Sequence, residues 1–171
     1  MIAVESIIGN INQDKKLMEK YKEMSIREFC ETIKVSRLES RRVRIRKTSD
    51  KGTDVALSLQ YGTQIKNGDV IILTENKMVV VEIEPENVIM IEIMDSIHGD
   101  DAVEIALKVG HTIGNLHRPI KLERGKIYFP MQADTDLEMF KRLLSQINEH
   151  VDIKTTSMVF EPEEGIEVHE H

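Results

Sequence analysis

The side chains able to do chemistry in this 171-residue chain are few: six histidines, one cysteine and scattered carboxylates. His111 and His117 bracket Gly114 and Asn115, His169 and His171 flank Glu170, and His98 and His150 stand apart. Neutral imidazole is a ligand for Ni(II), Cu(II) and Zn(II). The run His169-Glu170-His171 sets two imidazoles beside a carboxylate, which reads either as a metal-capturing tail or as a plain solvated acidic end. His111 falls in the last turns of a predicted helix, where an imidazole can bond free carbonyls and interact with the dipole. That capping role is its first reading and metal ligation its second. His111 and His117 are six residues apart, so on one continuous helix they would face different directions. They are no simple chelate. If the helix stops at Gly114, His117 lies on the return loop, and residues 110–117 form a candidate site.

Other chemistries find less support. Cys30 follows Phe29 in an apolar context and reads as a small packing residue rather than a nucleophile. A single cysteine excludes an intrachain disulfide, a CxxC pair and a cysteine-based zinc cage. No nucleophile elbow, phosphate-binding loop or dinucleotide fingerprint is present. Asp100, Asp101, Asp134 and Asp136 sit at predicted helix starts, where capping accounts for them. The expectation is therefore a non-enzyme. The basic run Arg37, Arg41, Arg42, Arg44, Arg46 and Lys47 could meet phosphates, but the net charge of -7, the absence of Trp and the lack of interleaved aromatics argue against nucleic acid.

The elements that must hold these residues fall into two groups. Met1 to Ile8 contains a short strand, and Leu17, Tyr21 and Met24 have helical spacing. Ser25 and Glu28 have the spacing of a capping box. From Ile33 onward the pattern is β: Arg42 to Arg46 alternates charged and β-branched residues, and Asp54–Leu59, Val70–Leu73 and Met78–Ile83 follow between Gly- and Asn-bearing turns. This predicts a small antiparallel β domain over residues 1–84. Past Pro85 the period changes. An apolar strand, Val88–Met94, precedes a helical stripe of Ala102, Ile105, Ala106, Val109 and Ile113, which Gly114 should terminate. Strand runs Pro119–Leu122 and Lys126–Phe129, a helix carrying Leu137, Phe140, Leu144 and Ile147, and a last strand over Ser157–Phe160 complete a β-α-β-β-α-β order. That order predicts a ferredoxin-like domain over residues 85–164, followed by a mobile His-bearing tail, residues 165–171. The fold class is α+β. No apolar run approaches the roughly 20 residues of a membrane span, and the first residues lack a signal-peptide pattern. The expectation is a cytoplasmic protein that uses no membrane.

At this point several segments resemble one family. Gly114-Asn115-Leu116-His117-Arg118-Pro119 resembles the GNxHxP-like signature of UreE, the urease accessory nickel chaperones. Gly62-Thr63-Gln64-Ile65-Lys66-Asn67-Gly68-Asp69 is similar to the family's GTxLxxGD turn, and Arg41–Arg46 with Asp50 and Gly52 to its Arg-rich strand and the turn after it. Phe160-Glu161-Pro162-Glu163-Glu164-Gly165 is similar to its FEPExG segment. The resemblance implies a β domain followed by a ferredoxin-like metal-binding domain. It implies that His117 pairs with its symmetry mate across a homodimer interface to bind Ni(II), so that a twofold axis doubles one imidazole. His169 and His171 would capture metal and pass it inward. The first domain would meet partners in the urease activation complex, where the GTPase UreG receives nickel before apo-urease. Bare nitrogen and oxygen ligands would accept Cu(II) or Zn(II) in vitro. The chain departs from the pattern at Leu116, where the family usually has Arg, at Met131 and Ala133, where some relatives carry a His-x-His pair, and in its short tail. Residues 13–30 have no counterpart in the pattern.

Three readings follow from the sequence: a homodimeric nickel metallochaperone for urease, a metal-independent interaction module built on the β domain, and an RNA-binding protein using the Arg-rich strand.

Overall fold

The computed structural model describes residues 1–162, which form a mixed α+β architecture of eleven strands and four α-helices. The chain divides into two compact units between Glu84 and Pro85.

The first unit contains β1 (Ile2–Val4), β2 (Gly9–Asn10), α1 (Lys15–Ile26), β3 (Cys30–Val35), α2 (Arg37–Ser40), β4 (Arg44–Thr48), β5 (Asp54–Ser58), β6 (Asp69–Leu73) and β7 (Met78–Ile83). Asp14 starts α1 by accepting hydrogen bonds from the amides of Lys16 and Leu17. Leu17, Tyr21 and Met24 then pack on Val70, Met78 and Val80, as their spacing predicts. Ser25 lies inside α1 and Glu28 takes a left-handed φ of 60°, so the expected capping box there does not form. The box sits at Ser36 and Glu39 instead. The Ser36 amide donates to Glu39 Oε2 at 3.0 Å and the Glu39 amide to Ser36 Oγ at 3.3 Å, which opens α2 and delays the Arg-rich strand to Arg44.

The expectation of a purely antiparallel domain is corrected. The strands form two sheets, ordered β1-β5-β4 and β2-β6-β7-β3, and β1 with β5 and β3 with β7 run parallel. Alternation of side chains marks a strand but carries no information about its neighbour's direction. Glu31, buried and paired with a half-exposed lysine, ties the second sheet to the β4–β5 turn through Ser49. Lys77 Nζ lies 2.7 Å from Glu31 Oε1, and Ser49 Oγ donates to Glu31 Oε2 at 2.6 Å.

The second unit contains β8 (Glu86–Ile93), α3 (Gly99–Asn115), β9 (Lys121–Glu123), β10 (Lys126–Pro130), α4 (Asp136–Leu143) and β11 (Val151–Met158). Its sheet has the order β11-β8-β10-β9, and every neighbouring pair is antiparallel. In β8 the consecutive residues Val88 to Ile91 are all buried, so both faces of the strand are covered and its sequence lacks alternation. Ile89, Ile91 and Phe129 of the sheet form one core with Ile105, Val109 and Ile113 of α3 and Phe140 of α4. The Phe129 and Phe140 rings pack with centroids 4.5 Å apart. The β9–β10 turn uses Arg124 and Gly125, both at positive φ, as a two-residue hairpin of this hand requires. The last strand begins at Val151 and ends at Met158, earlier than the Ser157–Phe160 run expected. It is a largely exposed edge strand, so apolar periodicity does not mark it. The expected tail, residues 165–171, lies outside the described residues.

Candidate metal centre

The site is built at the C-terminal end of α3. Asp100 and Asp101 occupy its first turn, where the helix dipole favours them. Ile105, Val109 and Ile113 fix its inner face. The helix does not stop at Gly114. It runs to Asn115, with Leu116 as C-cap, because Leu116 still packs against the core. The next residue, His117, has φ 52°. Its amide donates to the Gly114 carbonyl at 3.0 Å, and the Arg118 amide reaches the Ile113 carbonyl at 3.4 Å. This is the double closure of a Schellman motif, with histidine at the position glycine usually takes. Holding a β-carbon in that conformation costs on the order of 1–2 kcal/mol. Strain of this kind concentrates at functional positions.

The His117 side chain is exposed, and among the described residues its imidazole has no hydrogen-bond partner. Its nitrogens are available to a metal. His111 is also exposed, one turn before the helix end, and its Nε2 lies 2.9 Å from Nδ2 of Asn115. That contact engages one of its two ring nitrogens. His98 is the N-cap residue of α3 and forms no side-chain cap bond. His169 and His171 lie outside the described residues. Among the described residues, no three or more His, Cys, Asp or Glu side chains come together in a way that could hold a metal ion. Met131 and Ala133 occupy the start of the β10–α4 connection and supply no imidazole there.

Immediately after His117 the chain turns inward. Arg118 and Pro119 are buried, and Arg118 Nη2 lies 2.9 Å from Asp136 Oδ2, with both side chains under 10% exposed. The same carboxylate oxygen accepts the Gln132 amide at 2.8 Å. Nε and Nη1 of Arg118 are buried without hydrogen-bond partners among the described residues. Sequence reasoning missed this pair, reading Asp136 only as a helix-start charge. The signal available was an Arg-Pro step directly after the histidine.

The outer face of α3 differs from an ordinary solvated helix face. Val103 and Leu107 are 58% and 68% exposed, and Gly110 and Gly114 follow at helical spacing with no atom within 4 Å of where a Cβ would lie. This stripe of apolar and small residues leads along the helix toward His117.

In the first unit, part of the basic run is used internally. Arg46 makes a bidentate pair with Asp54 at 2.9 and 2.7 Å, Lys47 pairs with Glu39 at 2.7 Å, and Arg37 is buried. Arg42 and Arg44 are exposed, near exposed Leu38, Val43 and Tyr61. Hydrogen bonds from Leu59 to Val43 and from Ile65 to Ser40 bring the segments around these residues together. Cys30 is partly buried, with Sγ 3.6 Å from the Tyr21 carbonyl. No helix among the described residues is long and apolar enough to cross a membrane.

Comparison with known proteins addresses both units. Residues 4–84 match the N-terminal domain of the UreE urease accessory protein, and residues 86–171 match its C-terminal domain. Over 141 residues the chain is 28% identical to the urease accessory protein UreE of Yersinia pestis (strain Pestoides F), covering 80% of this chain and 59% of that one. The figures are the same for UreE of Yersinia pseudotuberculosis serotype O:1b (strain IP 31758). The matched stretch thus spans less than two thirds of these relatives. With both units matched in order, the chain belongs to the UreE family of urease accessory proteins.

Proposed function

We propose that this protein is a nickel-carrying metallochaperone for urease maturation, in which His117 from two copies of the chain binds one Ni(II) across a twofold axis. The observation that carries the reading is His117 itself, a solvent-facing imidazole held at a strained helix end in a chain whose described residues gather no metal cluster. One ligand per chain becomes two in a symmetric dimer. The stripe Val103, Leu107, Gly110 and Gly114 supports the same arrangement, since small residues allow two helix backbones to approach closely beside His117. The second unit, with its strand order β11-β8-β10-β9 and both helices in one core, is the ferredoxin-like domain of this reading. His169 and His171 add ligands and hand metal inward. A site shared between chains with few protein ligands can exchange ligands stepwise, as delivery requires. Nickel is cargo here, and Cu(II) or Zn(II) would enter the same ligands in vitro. The first unit is the partner-binding domain, meeting the GTPase UreG and the urease activation complex through the face bearing Leu38, Tyr61, Arg42 and Arg44.

The test is nickel titration by calorimetry at neutral pH on the full chain and on His117→Ala, with dimer mass followed in parallel. One tight Ni(II) per dimer, lost in the variant while the dimer persists, supports the interchain site. Tight binding that survives the substitution moves the site to His169 and His171 and overturns it. Because a proton competes with the metal for the ligating nitrogen, nickel should also bind more weakly in acid than at neutral pH.

A further inference from the structure

We propose that Arg118 and Asp136 are a positioning pair for His117, holding the left-handed turn after α3 so that the imidazole stays where a second copy's imidazole can share its nickel. This rests on the reading of His117 as the nickel ligand.

The backbone of His117 is clamped from both sides. Before it, the closing bonds to Gly114 and Ile113 end the helix. After it, Arg118 is drawn into the interior and fastened to Asp136 in the first turn of α4. Asp136 in turn holds the Gln132 amide, so the pair ties the α3–β9 connection to the β10–α4 connection. His117 is the exposed residue between these two anchors.

Folding alone is a poor reason to keep such a pair. Buried ion pairs repay their desolvation only when their remaining hydrogen-bonding groups are satisfied, and apolar replacements are often as stable. Here two guanidinium nitrogens are buried with no hydrogen-bond partner among the described residues. What the pair does supply is direction. A charged, hydrogen-bonded anchor has one geometry, whereas an apolar side chain would tolerate several. Losing a group hydrogen-bonded directly to a metal ligand typically costs 10–100-fold in affinity; this pair acts on His117 through the backbone, so that range is the upper bound for its removal.

The test uses full-length Arg118→Met and Asp136→Asn, alone and combined with His117→Gly. Nickel binding is measured by calorimetry, the nickel environment by its visible absorption, folding by circular dichroism and assembly by mass. The expected result is nickel binding weaker by at most roughly 10–100-fold with an altered absorption band in both single variants, folding and dimer mass retained, and no further loss when either is added to His117→Gly. Unchanged nickel affinity in the single variants, with binding lost in His117→Gly, overturns the positioning role and leaves the site standing. Equal losses with and without the imidazole show that the pair acts elsewhere and also overturn it. If His117→Gly binds nickel normally, the reading of the site fails and the positioning role with it. If neither single variant folds, the pair belongs to folding and the proposal is wrong.

Discussion

Replacing His117 by glycine should stabilise the protein while removing the proposed nickel ligand. The residue sits at φ 52° with its side chain exposed, so the folded state gains little from the imidazole and carries the strain of a β-carbon in the left-handed region. Relieving that strain returns on the order of 1–2 kcal/mol. Glycine gives back roughly 0.5–1 kcal/mol of this through its greater freedom when unfolded. A net gain of about 0.75 kcal/mol follows from the midpoints of the two ranges, within limits of about 0–1.5. In a domain of 60–100 residues, 1 kcal/mol moves the melting temperature by about 4–8 °C, so an increase of roughly 3–6 °C is expected. His117→Ala retains the β-carbon and should melt within about 2–4 °C of the parent, since a substitution at an exposed site typically changes stability by under 0.5 kcal/mol. The assay is scanning calorimetry of the full chain in a chelator, followed by nickel titration of the same samples. Both variants should lose tight nickel binding, and only the glycine variant should melt later. A glycine variant that melts earlier than the parent would refute the argument, because the imidazole would then be contributing to the fold. A later melt with nickel binding intact would uphold the backbone argument and refute the ligand assignment.

Further outcomes follow from other parts of the molecule. Burial raises the pKa of Glu31, but hydrogen bonds from Lys77, Ser49 and Thr53 overcome it and hold the carboxyl at about 2, against an ordinary 4.5. Its folded pKa is depressed, so its stabilisation is complete above about pH 4.5 and is lost as pH falls toward 2, amounting to roughly 3 kcal/mol; denaturant midpoints should drop over that window, and less so in Glu31→Gln. Gly68 has φ 86°, and a Cβ there would run into the Asn12 side chain, so Gly68→Ala should cost about 2 kcal/mol or more, read from urea unfolding. Leu107→Glu on the outer face of α3 should leave the fold within about 0.5 kcal/mol of the parent but shift the mass from dimer to monomer in sedimentation. A dimer unaffected by that charge would remove the α3 stripe from the proposed interface.

The candidate site was legible in the sequence as a motif and illegible as a geometry. His117 stands out through Gly114-Asn115 before it and Pro119 after it. Gly114, however, does not end the helix, because the buried side chain of Ile113 and the packing of Leu116 carry the helix one residue further. The left-handed histidine follows from that choice, and only long-range packing makes it. In the first unit, Leu17, Tyr21 and Met24 announced a helix through their spacing alone. The direction of β3 beside β7 was hidden, since side-chain alternation is the same in parallel and antiparallel pairs.

What the sequence by itself determined is what depends on near neighbours: the change of hydrophobic period past Pro85, the alternating strands, the helix stripes and the order of elements in the second unit. Each is set by contacts within a few residues, where residue type governs conformation. The tertiary structure alone decided which distant groups meet. It joined Arg118 to Asp136 across 18 residues and Lys77 to Glu31 across two strands, and it left the α3 stripe exposed among the described residues. Such pairings depend on how whole elements pack. Burial then gives them their weight, because a charge removed from water must find its partner wherever the fold has placed it.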